Sequence, residues 1–226
     1  MKRLLPILLA ALAVATPALA HDHDRDRDRD RGRDRIVLES EAKTYPAKSI
    51  NAVRVDFTVG ELNIEGTDGD QVVVKLYVHC KRESGRCDEM ARDLRLDARS
   101  RGDRMDIEVG GHSLFDSDDY WVEARIQVPA RVSLDIEMPV GEVSIRDVEN
   151  DVDLRLKVGE ATVEMREERV GRVSAGITIG EATIDARSGR EQVEGLFGRR
   201  VRWAEGRGPA RIDVHVGIGE ASVRLL

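Results

Sequence analysis

Aromatic residues are scarce in this chain, with three Phe, three Tyr and two Trp among 226 residues. Because aromatic side chains supply much of the volume of wide sandwich and barrel cores, this scarcity favours a thin core of Val, Ile, Leu and Ala. No second long apolar run follows residue 20, so we expect no transmembrane segment once the amino-terminal segment is cleaved. A formal charge of −7 argues against nucleic acid as a partner.

Common enzyme motifs are also missing. The sequence contains no G-x-S-x-G, H-E-x-x-H, G-x-x-x-x-G-K-[ST] or G-x-G-x-x-G pattern. His79, His112 and His215 are isolated from one another, and abundant surface carboxylates do not by themselves make a paired catalytic site. We therefore predict no catalytic residues and a protein that is not an enzyme.

The amino-terminal 20 residues are typical of a secretory signal peptide. Lys2 and Arg3 precede an apolar run from Leu4 to Val14, and Ala18-Leu19-Ala20 is a small-residue cleavage pattern. Residues 1–20 are therefore predicted to be removed, which predicts a periplasmic or secreted protein.

Residues 21–35 form a charged tail in which six Asp alternate with six Arg after two His. None of these side chains can join a core, so we expect a disordered spacer. Cleavage after Ala20 would leave His21-Asp22-His23 at the amino terminus. A free amine, two backbone amides and the His23 side chain form a nitrogen set that suits Cu(II) or Ni(II), so His21 and His23 mark a candidate metal site.

The two cysteines, Cys80 and Cys87, lie seven positions apart. In an oxidising compartment this pair predicts a disulfide, which would stabilise the fold by about 2 kcal/mol. The spacing is not Cys-x-x-Cys and no cluster of histidines surrounds it, which disfavours a redox or metal pair.

A single β domain is expected over residues 36–226, with an irregular part at 36–130 and regular repeats at 131–226. Apolar and polar residues alternate in Ala52–Phe57, Met105–Val109 and Val122–Val128, which indicates half-buried strands. One short helix is predicted at Asp88–Leu94, with Asp88 as its N-cap and Met90 and Leu94 on one face.

A short Gly-Glu unit dominates the domain and recurs with a period near 20 residues, which is the signature of a repeat architecture. A degenerate copy is expected near residues 198–203, where the step between units doubles. The five clear copies are Val59-Gly60-Glu61-Leu62-Asn63-Ile64, Val140-Gly141-Glu142-Val143-Ser144-Ile145, Val158-Gly159-Glu160-Ala161-Thr162-Val163, Ile179-Gly180-Glu181-Ala182-Thr183-Ile184 and Ile218-Gly219-Glu220-Ala221-Ser222-Val223.

Gly-Glu separates two alternating apolar rows within each unit and shifts their phase by one residue. Ile136, Met138 and Val140 precede the glycine of one copy, and Val143 and Ile145 follow it. This phase shift is explained if two strands meet at a Gly-Glu corner and both turn their apolar side chains toward the same interior. The fold class is therefore predicted to be an all-β, β-solenoid-like stack, with two-residue hairpins as the alternative.

This repeat, behind a signal peptide and an alternating β region, resembles the DUF4097 family, which also carries the label "putative adhesin". The resemblance covers roughly residues 50–226. It implies a non-enzymatic β-repeat protein of the cell envelope and supplies no catalytic residues. The resulting hypothesis is a binding, scaffold or adhesin-like module for an envelope glycan or protein. The alternatives are a solenoid glycan-active enzyme and a periplasmic copper or nickel binder.

Stacked units would align two polar rows. Glu142, Glu160 and Glu181 would form a ladder with Glu220 further along, and like charges about 4.8 Å apart repel by about 1 kcal/mol in water. Splayed side chains, nearby Arg or a bound Ca²⁺ would relieve this. A second row comprises Ser144, Thr162, Thr183 and Ser222. Trp121 and Trp203 are candidates for stacking on sugars or for covering the core. An open end of the stack is an unpaired edge, which predicts self-association or capping by residues 36–50.

Overall fold

Thirteen strands and one α-helix account for most of the described chain. The computed structural model describes residues 36–81, 85–111, 120–195 and 197–226. The predicted all-β class is confirmed. The strands are β1 (Ile36–Pro46), β2 (Ala52–Phe57), β3 (Val59–Thr67), β4 (Gln71–Cys80), β5 (Arg95–Arg101), β6 (Arg104–Gly110), β7 (Tyr120–Pro129), β8 (Ser133–Arg146), β9 (Val152–Met165), β10 (Val170–Ala186), β11 (Gly189–Gly195), β12 (Arg199–Trp203) and β13 (Ala210–Leu225).

The helix α1 spans Gly85–Asp93 and therefore begins earlier than predicted. Asp88 is not the N-cap; it lies in the first turn, where a negative charge faces the positive end of the helix dipole. Met90 and Leu94 are both buried. Cys80 and Cys87 form the disulfide, which ties the end of β4 to α1 across a Cα–Cα distance of 6.2 Å.

Five parallel segments carry the Gly-Glu units side by side. Gly60 pairs with Gly141, Gly141 with Gly159, Gly159 with Gly219 and Gly219 with Gly180. All five glycines have positive φ, between +128° and +141°. Residues on both sides of each Gly-Glu pair with a neighbouring unit in parallel, so the unit is not the turn of a hairpin.

The spatial order of the units differs from their order in the sequence. β13 lies between β9 and β10, so Glu220 stands between Glu160 and Glu181 rather than beyond them. The predicted order of the ladder was wrong. After β10 the chain returns as β11 and β12, which both pair antiparallel with β10 at its other edge. Because β11 and β12 occupy that edge of β10, β13 pairs with the opposite edge of β10 and lies between β10 and β9.

The expected sixth unit near residues 198–203 is not a parallel repeat. β12 runs antiparallel to β10, with Val201 and Trp203 turned into the core. The long gap between the first two units is an excursion of the chain, because β3 pairs directly with β8. Within that excursion β4 and β7 extend one edge of the sheet, and β1 covers β4 as an antiparallel strand.

Both halves of each long strand contribute to one hydrophobic core. In β8, Leu134, Ile136 and Met138 are buried before the glycine, and Val143 and Ile145 are buried after it. In the last four units the residue directly before the glycine was predicted to face inward, and this was wrong. Val140, Val158, Ile179 and Ile218 are 39–49% exposed, so the alternation of buried and exposed residues is already broken one residue before the glycine. The described residues contain no helix long and apolar enough to cross a bilayer.

Candidate functional site

A row of glutamates crosses one face of the sheet in register. Seven neighbouring strands each contribute one Glu, so the row extends about 29 Å at the usual strand spacing. The sequence repeat predicts five of the seven. Glu123 and Glu194 come from strands without a Gly-Glu unit. The members in spatial order are Glu123, Glu61, Glu142, Glu160, Glu220, Glu181 and Glu194.

Two further rows lie beside the glutamate row on the same face. The first is uncharged over most of its length, and the second alternates in sign, with Arg224 and Glu164 paired at 2.6 Å. Positive and negative charges therefore cancel in the second row, whereas the glutamate row keeps its negative charge. The first comprises Arg125, Asn63, Ser144, Thr162, Ser222, Thr183 and Gln192, and the second comprises Gln127, Glu65, Arg146, Glu164, Arg224, Asp185 and Arg190.

The middle of the glutamate row carries the largest uncompensated charge. Glu142, Glu160 and Glu220 are exposed and form no ion pair with a described residue. Glu181 is different, because it accepts a hydrogen bond from Thr183 Oγ1 at 3.0 Å and has Arg190 at 3.9 Å. Solvation of splayed side chains is sufficient to relieve repulsion between exposed carboxylates at this spacing.

A surface pocket of about 470 Å³ lies at the β4–β7–β3–β8 end of these rows. Its lining is mostly polar, and it combines both signs of charge with amide, hydroxyl and phenol groups. The polar lining residues are Glu61, Asn63, Glu65, Lys75, Tyr77, Glu123, Arg125, Gln127, Ser144 and Arg146.

Glu123 is the buried anchor of this pocket, with only 4% of its surface exposed. Its Oε2 accepts hydrogen bonds from His79 Nε2 at 2.7 Å and from Arg125 Nη2 at 3.0 Å. Its Oε1 accepts from Arg125 Nε and from Asn63 Nδ2. Burial alone would raise the pKa of Glu123, but the hydrogen bonds from Arg125 and His79 outweigh it and lower the pKa. The carboxylate is therefore ionised and held in place.

Two aromatic side chains hold the partners of Glu123. The Trp121 ring stacks on the His79 ring with centroids 4.6 Å apart, and the Arg125 guanidinium lies 4.9 Å from the centre of the Tyr77 ring. Trp203, the other candidate for sugar stacking, is 5% exposed and belongs to the core. Sequence alternation places Glu123 and Arg125 on one face, but the pairing of β7 with β4 and β3 is long-range and gives no local signal.

The two metal predictions concern different parts of the chain, one of which lies outside the described residues. No group of three or more His, Cys, Asp or Glu placed to hold a metal ion occurs in the described ranges. Calcium on the glutamate row stays a prediction. His21 and His23 lie outside the described residues, as do the predicted signal peptide and the charged tail.

A shorter acidic row lies on the outer face before the glycines, where Asp135, Asp153 and Asp213 are in register. Burial, followed by repulsion from Asp135 and Asp213, raises the pKa of Asp153, although Arg155 opposes this. A raised pKa in the folded state means that ionisation of Asp153 reduces stability as the pH rises through that pKa.

We expect Asp153→Asn to raise the free energy of unfolding at neutral pH by less than about 1 kcal/mol, because the side chain is partly solvated. The gain should disappear below about pH 3, where the carboxyl is already protonated in both states. Urea denaturation across pH, with the exposed Asp68→Asn as the control, measures this. A loss of stability at neutral pH would show instead that the Arg155 contact dominates.

Comparisons with known proteins identify a structural likeness but no family. No protein-family model matches the chain, and no curated protein matches it. The resemblance to DUF4097 therefore stays a prediction. A crystal structure named "putative cell adhesion protein" from Clostridium sporogenes has a TM-score of 0.51 and 14% identity, and covers 84% of this chain and 100% of its own. A "putative adhesin" from Bacteroides fragilis has a TM-score of 0.34 and 12% identity, covering 83% and 97%. The first likeness indicates a shared fold.

Proposed function

We propose that the protein is an exported, non-enzymatic binding module of the cell envelope that acts as a scaffold or adhesin-like protein. The observation that carries this proposal is the set of three in-register polar rows on one sheet face, with the pocket at one end. The name of the Clostridium sporogenes structure, "putative cell adhesion protein", supports the same kind of role.

The rows suit a polymer better than a small metabolite. Equivalent side chains recur at each strand, so a chain ligand with repeating polar groups would meet equivalent donors and acceptors along its length. Hydroxyl and amide groups in the middle row are able to exchange hydrogen bonds with sugar hydroxyls. An envelope glycan is therefore the ligand class that the face fits best, and a protein is the other partner class.

The geometry around Glu123 favours binding over hydrolysis. Glu61 and Glu123 both accept a hydrogen bond from Asn63 Nδ2, at 2.8 and 3.2 Å, so the pocket holds two neighbouring carboxylates. A glycosidase needs a general acid with a raised pKa, whereas the pKa of Glu123 is lowered. Both oxygens of Glu123 are also occupied by protein donors, which leaves little capacity for a substrate.

The five Gly-Glu units are interpreted as coils of a short solenoid-like stack, with β13 inserted between β9 and β10. Each coil would contribute one residue to every row. The disulfide between Cys80 and Cys87 fits an oxidising compartment outside the cytoplasm. The predicted signal peptide supports the same location.

Fractionation of the exporting cell tests the location. Protease digestion and antibody labelling of intact cells, beside an osmotic-shock fraction, separate a surface protein from a periplasmic one. Surface labelling supports adhesion. Release only by osmotic shock leaves the scaffold role and removes the adhesin-like one, whereas retention in the cytoplasm refutes the proposal.

Binding to the pocket is tested with arrayed envelope polysaccharides. Lys75 lines the pocket, is exposed and forms no ion pair with a described residue. We expect Lys75→Ala to weaken binding of the recognised glycan about fivefold or more, corresponding to loss of one hydrogen bond. Lys48→Ala changes an exposed lysine outside the pocket and should have no effect. Equal effects of the two variants, or turnover of any glycan, would contradict the proposal.

A further inference from the structure

We propose that the turn residues Phe197 and Gly198, together with Arg199 and Arg200 directly after them, dock the protein on a lipid bilayer with anionic headgroups. The proposal goes beyond the proposed function and does not depend on it. Its occupant is a membrane surface, not a soluble ligand of the polar face.

Phe197 is the most exposed large hydrophobic side chain in the described ranges, at 89%. Exposing a whole phenyl ring to water is unfavourable, and such side chains occur where a protein meets an apolar partner. Leu226, the next most exposed, is 58% exposed. Nothing in the described chain covers the Phe197 ring.

Backbone pairing on both sides of Phe197 places its backbone beside β10. Gly195 pairs with Gly180 and Arg199 with Ile177, and Gly198 N–H donates to Thr178 O at 3.1 Å. Phe197 and Gly198 therefore lie opposite Thr178 and Ile179, at the end of an exposed apolar column that contains the residue before the glycine in four of the five units. The other members of that column are Val140, Val158 and Ile218.

Arg199 and Arg200 follow Phe197 closely in the sequence, and their side chains extend to different places. A Cβ placed on Gly195 would meet Arg199 Cγ, so the Arg199 side chain packs along the end of β11. A Cβ on Gly176 would come within 3.4 Å of Arg200 Nε, so the Arg200 side chain lies over β10 instead. Successive strand residues point to opposite faces, which explains this division.

These arginines have no counter-ions within the described chain. From residue 170 onward, six exposed arginines make no ion pair with a described residue, although the protein as a whole has a charge of −7. Four arginines and two glutamates, Glu191 and Glu194, occur in the segment Gly189–Trp203, which is therefore locally positive. The six unpaired residues are Arg172, Arg199, Arg200, Arg202, Arg207 and Arg211.

An exposed aromatic ring followed closely in sequence by arginines without counter-ions among the described residues matches the layered chemistry of a bilayer surface. The ring enters the boundary between headgroups and acyl chains, while each guanidinium binds lipid phosphate with two parallel hydrogen bonds. A soluble polyanion would use the arginines but would leave Phe197 in water.

Docking through this turn leaves the polar face accessible. β11 is at the opposite end of the sheet from the pocket strands β4, β7 and β3. The protein would therefore be able to hold a membrane and an envelope ligand together.

Co-sedimentation of the full-length protein with vesicles tests the proposal. We expect binding to vesicles of phosphatidylglycerol and phosphatidylcholine, weaker binding at high salt, and little binding to phosphatidylcholine alone. Phe197→Ser should weaken binding about tenfold. The double variant Arg199→Gln/Arg200→Gln should weaken it about 25-fold, or about fivefold for each arginine.

Matched variants elsewhere on the surface control for exposure and charge. Leu226→Ser removes another exposed apolar side chain, and Arg99→Gln/Arg101→Gln removes two exposed arginines from β5. Both should bind vesicles as the unmodified protein does. All variants change exposed side chains, and unchanged circular dichroism spectra confirm that they are folded.

Three results would overturn the proposal. The first is no binding to the anionic vesicles, and the second is equal loss of binding in the control variants. The third is vesicle binding that Phe197→Ser leaves unchanged and that soluble heparin abolishes, because it would show that the arginines alone bind polyanions without insertion of the ring. Light scattering adds a related check, since a dimer that Phe197→Ser dissociates, without vesicle binding, would assign the turn to a second copy of the chain.

Discussion

Gly159→Ala is expected to lower the free energy of unfolding by about 4 kcal/mol. Gly159 has a φ of +135°, which costs an L-residue about 1–3 kcal/mol, and an added Cβ would overlap the carbonyl oxygen of Gly141 on the neighbouring strand. Neither backbone is able to move away easily, because Gly159 is also paired with Gly219 on its other side. Urea denaturation followed by circular dichroism measures the loss.

A matched series separates the two contributions. Gly189 has a φ of +144° but no atom within 4 Å of an added Cβ, so Gly189→Ala should cost only the conformational part, about 2 kcal/mol. Gly69 does not have a positive φ, and its Cβ would meet only Thr67 Oγ1 at 3.5 Å. Gly69→Ala should therefore change stability by less than about 0.5 kcal/mol.

The order of the three variants tests the stacked arrangement itself. Equal costs for Gly159→Ala and Gly189→Ala would mean that the glycine column is not closely stacked. A Gly159→Ala protein that fails to fold, beside folded Gly189→Ala and Gly69→Ala, agrees with the expected order. The five glycines are thus required by close contact with a neighbouring strand as well as by their own positive φ.

Local patterns in the sequence predict the repeated unit well. Alternation before and after Gly-Glu identifies the buried residues of each strand half, such as Leu154 and Leu156 in β9 and Val163 after its glycine. The pattern fails at the residue directly before the glycine. Val158 is apolar and in phase but is exposed, and hydrophobicity alone does not reveal where the alternation breaks.

The order of the units is not encoded locally. Every unit presents the same Gly-Glu and alternating apolar residues, so any unit is able to lie beside any other with glycine against glycine. β13 takes its place between β9 and β10 because β11 and β12 occupy the other edge of β10. That outcome depends on pairing between distant segments, which a period of about 20 residues does not specify.

The candidate site shows the same division between local and long-range information. Glu61, Asn63 and Ser144 are predictable as outward members of the repeat. Glu123 and His79 are not, because they join the site through the pairing of β7 with β3 and β4 at the end of the stack. The row therefore ends in a pocket only because strands outside the repeat continue its register.

Replacement of Glu123 by glutamine is expected to lower the free energy of unfolding by about 2 kcal/mol at neutral pH. Glutamine keeps the shape but removes the charge, and its amide N–H₂ would confront an N–H donor of Arg125 or His79 in place of a carboxylate oxygen. The expected loss of stability is modest because the Arg125 side chain is 57% exposed, so water is able to solvate the guanidinium when it loses its carboxylate partner.

The pH dependence distinguishes a charge effect from a packing effect. The pKa of Glu123 is lowered in the folded protein, so its ionisation stabilises the fold above the unfolded-state pKa, and this contribution is lost as the pH falls through the folded-state pKa. The difference between the unmodified protein and Glu123→Gln should therefore narrow as the pH falls from about 7 to about 3.

Glu142→Gln is the control from the same row, because Glu142 is exposed and has no ion pair with a described residue. Its stability should stay within about 0.5 kcal/mol of the unmodified protein, and relief of repulsion from its neighbours makes a small gain the expected sign. A cost equal to that of Glu123→Gln, or a Glu123→Gln difference that does not change with pH, would contradict the assignment of Glu123 as the ionised anchor. The glutamate row would then be uniform along its length, and the pocket would lose the feature that sets it apart from the rest of the sheet.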